Sequence, residues 1–180
     1  MALADDLVKI SGIPAHPLLV HAVVVLLPLA CLAAAAIAVR PVWRRRYAWP
    51  VLGLTLVGVA AVPVAQETGE QLYEGRFDRL GNPLIDHHAS LGNDLLPFAL
   101  GFGVAVVALL IAGRLADREH AAAEDGGGKD DGGTTTVTRT WRRIAVVIAV
   151  VVVASGAAAV VQTVRIGDSG SRAVWEGVGG

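Results

Sequence analysis

The chain holds one cysteine, one methionine, four tryptophans, two tyrosines and three phenylalanines in 180 residues. A lone cysteine excludes an intrachain disulfide and any thiolate metal cluster; Cys31 lies inside an apolar block and reads as a small buried hydrophobe. Charge is scarce as well: 17% of residues are charged against 54% hydrophobic, and mean hydropathy is +0.57. Such a composition cannot dress a water-facing surface. Catalytic signatures are missing too. The chain has no nucleophile elbow, phosphate loop, zinc-protease motif or cysteine–histidine pair, so soluble-type catalysis is not expected.

What is present is apolar and gathered in blocks: Leu18 to Val39, Trp49 to Ala65, Leu95 to Gly113 and Ile144 to Val164. Each is about long enough to cross a hydrocarbon core of roughly 30 Å as a helix, the second only if it runs past Ala65. In lipid every backbone N–H and C=O must be paired within its own segment, so these blocks are helices. The expectation is an all-α integral membrane four-helix bundle with extended outer helix ends and a short C-terminal outer segment. A signal peptide is not expected at the first block, because Asp5 and Asp6 precede it and the arginines follow it.

Orientation follows from the connections. Ten of the fifteen lysines and arginines lie between blocks one and two or between three and four, which marks that side as cytoplasmic and leaves both termini outside. Trp43, Trp49 and Trp141 fall at the inner boundaries. The chain therefore divides into an outer N-terminal segment (1–17), spans one to three (18–113), a flexible cytoplasmic linker (114–143) and a fourth span with its outer tail (144–180). The arginines flank spans and are explained by topology, so nucleic-acid binding is not expected. No internal repeat is evident. Gln66 to Tyr73 reads as a continuation of the second helix, and Asn82 before Pro83 as the capped start of the third. Alanines and glycines at four-residue spacing, Ala61, Ala65 and Gly69 on the second helix and Ala30 and Ala34 on the first, permit close approach.

Polar residues are distributed by depth. The cytoplasmic halves of the spans are nearly free of ionisable groups, while every helix contributes to one outer layer, including His21, Glu67, His87, His88, Asp94, Gln162 and Arg165. Unpaired ionisable groups at membrane depth cost on the order of 2.5–3.5 kcal/mol each, so they are expected to face one another or a wet cavity. His16 and His21 are five residues apart, about 140° around a helix, and cannot share a face. His21 aligns with Val25, Pro28 and Leu32, which reads as an inward stripe. On the third helix His88 lies above Gly92, which leaves room for a flat ligand, and is preferred to His87.

His16-Pro17-Leu18-Leu19-Val20-His21, Thr68-Gly69-Glu70, His88-Ala89-Ser90-Leu91-Gly92 and the glycine-rich tail around Trp175, in that order, resemble the bacterial four-span membrane proteins of domain-of-unknown-function family 2231. The resemblance implies the four-span architecture and carries over His16, His21, Glu70 and His88 as site positions. Asp168 and Trp175 stand where the family more usually has His and Tyr. Some relatives are joined to Rieske-type iron–sulfur domains, which implies redox company.

Two functional expectations follow. The first is a structural or partner-binding membrane subunit whose outer histidines and acids form a hydrogen-bonded plug. The alternative is a redox module: haem b between His21 and His88, or a divalent metal held by His16, His21, Glu70 and His88. Besides the lipid bilayer, a redox membrane partner or a second copy of the chain is the partner to expect. A small transporter is disfavoured, since no polar residue continues through the cytoplasmic half.

Overall fold

Prolines and their neighbours set where these helices begin and bend. The computed structural model describes residues 9–10, 12–77, 81–125 and 134–176. A two-residue ladder, β1 (Lys9–Ile10) on β2 (Ile13–Pro14), turns at Gly12, whose φ of 82° is open to glycine without strain. Helix α1 (Ala15–Val39) follows directly. Arg40 interrupts the chain, and Pro41 starts α2 (Pro41–Leu72) at the position where a missing N–H is harmless. A π-helical turn, Tyr73–Phe77, ends this arm. Asn82 caps α3 (Pro83–Asn93) by accepting from the Leu84 N–H at 3.0 Å, as its sequence pattern predicts. Helices α4 (Leu95–Asp125) and α5 (Thr134–Trp175) complete the chain.

Among the described residues, four stretches are long and apolar enough to cross a membrane: Ala15–Val39, Pro41–Gly75, Pro83–Ala122 and Trp141–Trp175. The fold is an all-α membrane four-helix bundle. Helix α1 packs on α2 and α5, α4 packs on α5 and α2, and α1 meets α4 only slightly. All of the histidines near α1 and α3 therefore gather at one end, here the histidine end, and the arginine-rich connections at the other.

Inward positions mix small and large side chains, and several large aliphatic ones face outward. Ala30 and Ala34 are 0% exposed, whereas Leu32 is 70% and Val25 60% exposed. In hydrocarbon a large aliphatic side chain gains little by burial, while a small one lets backbones approach. At Gly58 a Cβ would stand 3.4 Å from the Leu27 Cα, so α1 and α2 touch almost backbone to backbone there. Phe102, Leu27, Leu109 and Val106 fill the centre, with Cys31 buried and free.

Between α3 and α4 the helix slips at Asp94, because Pro97 has no N–H for the Asn93 carbonyl and its ring crowds that oxygen. Two amides from other helices satisfy the freed carbonyls. The Gln66 amide on α2 donates to Gly92 O (2.8 Å) and Asn93 O (3.1 Å), and Gln162 on α5 donates to Leu91 O (3.0 Å). At the arginine end Arg45 holds Asp117 through two hydrogen bonds of 3.2 and 3.0 Å. Arg40 and Arg114 lie over Trp43 and Trp49. Buried Arg44 lies across Gly113, where any Cβ would collide with its guanidinium.

The last two helices run beyond their apolar blocks. The connection between α4 and α5 is helical through Asp125 and again from Thr134, leaving 126–133 outside the described residues. Helix α5 continues past the fourth apolar block to Trp175. Polar helix ends propagate from an apolar nucleus because each added residue brings its own hydrogen bond.

Candidate functional site

His16 is the second residue of α1, and the helix places its ring flat against α2. Its Nδ1 donates to the Ala65 carbonyl at 3.0 Å, and the ring occupies the space above Gly69. A Cβ on Gly69 would lie 2.8 Å from His16 Cε1, so only glycine leaves this seat open. His88 on α3 sits the same way on α5. Its Nδ1 lies 3.2 Å from Ile166 O and 3.0 Å from Ser169 Oγ, and a Cβ on Gly170 would lie 2.9 Å from its Cε1.

These partners determine the tautomer. A carbonyl can only accept, so Nδ1 of the neutral His16 ring carries the proton. Ser169 Oγ already donates to Ile166 O at 2.9 Å, so it too accepts from His88. Nε2 of each ring is left with a lone pair, and neither has a hydrogen-bond partner among the described residues.

Both rings line a cavity of about 920 Å³ between the helices at the histidine end, toward the upper end of the range for small-molecule sites. Val23, Val62 and Leu95 line its deep part, and Glu70, Glu74, Asp86 and Tyr73 its mouth. The Tyr73 hydroxyl donates to Asp86 at 2.7 Å. No lysine or arginine lines the cavity among the described residues.

The sequence-derived residues separate accordingly. His16, His88 and Glu70 line the cavity; His21 does not. His21 is exposed on the opposite side of α1, with its Nδ1 on the Pro17 carbonyl of its own helix. The 140° between the two histidines holds, but it is His16 that turns inward, because the stripe below His21 is the large, exposed one. The cavity thus brings His16 and His88 to one space and leaves His21 outside it. The four-residue metal set is not gathered either: among the described residues, no three His, Cys, Asp or Glu side chains stand close enough to hold an ion. His87 is exposed, as the preference for His88 implies.

Sequence reasoning missed that the site is built twice. Glu67-Thr68-Gly69 on α2 recurs as Asp168-Ser169-Gly170 on α5, and each histidine uses the carbonyl four residues before the glycine. In each copy the hydroxyl three residues on donates back to that same carbonyl, Thr68 at 3.1 Å and Ser169 at 2.9 Å. Burial repeats in the same register: Leu27, Ala30 and Ala34 of α1 correspond to Ala99, Phe102 and Val106 of α4, all 0% exposed. On α2 and α5, buried Val62 and Thr68 correspond to buried Thr163 and Ser169. The acid–hydroxyl–glycine triplet was the available signal. It is too short to stand out until the histidines are seen to dock on it.

The fold and this cavity define a class: a four-helix membrane bundle with two imidazoles presented to a chamber at one end. The chain belongs to the family described as Predicted membrane protein (DUF2231), whose model matches residues 12–180. No curated protein and no solved structure matches it.

Proposed function

We propose that the protein is a membrane-embedded binding module that holds a small ligand between His16 and His88, with both termini on the outer side of a bacterial inner membrane. The observation that carries this reading is the pair of imidazoles that line one cavity, each anchored through Nδ1 and with Nε2 unused among the described residues. A plug that served packing alone is less well supported, since the rings bond to backbone and serine rather than to the outer acids, and about 920 Å³ remains between the helices. Haem b gains support from the Nδ1 anchors, which orient axial imidazoles. The acidic mouth counts against it, because the propionates would meet Glu70, Glu74 and Asp86 with no cation among the lining residues.

The test is to purify wild type, His16→Ala and His88→Ala in lipid nanodiscs from the native membrane. Optical spectra, metal content and mass spectrometry of extracted small molecules are then compared. The expected result is a molecule retained near stoichiometry by wild type and depleted in both variants. Identical small-molecule content in all three would remove the proposal.

A further inference from the structure

Resting on the binding role of the two imidazoles, we propose that the ligand is a neutral para-dihydroxy aromatic, a quinol, whose two hydroxyls donate to Nε2 of His16 and Nε2 of His88. Four observations converge on this class. First, both rings line the cavity and use Nδ1 as the donor, so each remaining ring nitrogen is an acceptor and calls for a donor from the ligand. Second, the two acceptors stand on equivalent positions of the repeated halves, Gly69 beneath one ring and Gly170 beneath the other. A site built twice suits a ligand whose two ends carry the same group, and a para-dihydroxy ring has that symmetry. Third, the deep part is aliphatic and the protein spans lipid, so the body of the ligand is flat or chain-like and apolar. Fourth, the mouth carries three carboxylates and no basic residue among the described residues, which disfavours phosphates, carboxylates and other anions. A bare metal ion is poorly served, because two imidazoles without a third ligand do not complete its coordination.

The donor–acceptor logic gives the proposal a direction. An oxidised quinone presents only carbonyl oxygens, which accept and would face lone pairs at both ends. The reduced form is therefore the one the site prefers.

The experiment uses duroquinol as probe, titrated anaerobically into the nanodisc protein and read by tryptophan fluorescence and by thermal shift. Duroquinone and the duroquinol monomethyl ether serve as comparison probes. Duroquinol is expected to bind about tenfold or more tightly than duroquinone, with the monomethyl ether between them, in line with hydrogen bonds lost one at a time. His16→Ala and His88→Ala should each weaken duroquinol by a similar factor. Gly92→Leu keeps both histidines and fills the cavity from a position where a Cβ meets nothing within 4 Å. It should fold with an unchanged circular dichroism spectrum and bind no probe. Equal binding of duroquinol and duroquinone, or duroquinol binding unaffected by Gly92→Leu, overturns the proposal. If duroquinol fails to bind while a native molecule is still lost from His16→Ala, the quinol class falls and the two-histidine site stands. If no native molecule is found either, both fall.

Discussion

Each imidazole rests on a helix that has no side chain beneath it, so one methyl group tests the anchor. In Gly69→Ala or Gly170→Ala the new Cβ would stand 2.8 or 2.9 Å from a ring carbon, and the ring has to leave its carbonyl. We expect each to lose about 1–3 kcal/mol of stability through overpacking, and to lose ligand retention with it. Gly101→Ala is the control, since nothing lies within 4 Å of its Cβ. It should be neutral or more stable by about 0.5–1 kcal/mol. Unfolding in mixed detergent measures both. His21→Ala belongs at this scale too: exposed and bonded only within α1, it should leave retained small molecules unchanged. A loss equal to that of His16→Ala would mean that the wrong histidine has been assigned to the cavity.

At the scale of the element, the slip between α3 and α4 ties three helices together. Pro97 frees the Asn93 carbonyl, and Gln66 and Gln162 satisfy that turn from α2 and α5. Gln66→Leu should cost about 1–3 kcal/mol, because carbonyls in a water-poor bundle lose their donor. Pro97→Ala restores an N–H to the turn, so the loss on Gln66→Leu should shrink in the Pro97→Ala background. A double-mutant cycle by detergent unfolding reads this coupling, and strictly additive losses would contradict it. The start of α3 was legible, because Asn82-Pro83 carries its own capping chemistry. The slip was not, since whether an amide twenty-six residues away reaches a freed carbonyl depends on how helices are placed.

For the whole molecule, the prediction concerns orientation. Cys31 is buried, so a Cys31→Ser background gives a quiet start for labelling. With arginine-rich connections inside, Glu74→Cys should react with an impermeant maleimide on intact cells and His120→Cys only after lysis. The reverse pattern would turn the bundle over and move the cavity to the cytoplasmic face. The same scale holds the duplication. Two helix hairpins, α1–α2 and α3/α4–α5, repeat their histidine, triplet and buried positions, yet share too few residue identities for the repeat to be read along the chain.

Sequence alone determined how many helices cross, where α3 starts and which end collects the polar groups. Those features follow from the demand of hydrocarbon that backbone be paired locally and charge be kept at the rims. Rotation of each helix about its axis was left undetermined, because lipid and protein interior are equally apolar and hydropathy has no preference between them. Only the tertiary structure turned His16 inward and His21 outward, through close approach over glycine and alanine and a hydrogen bond to the Ala65 carbonyl.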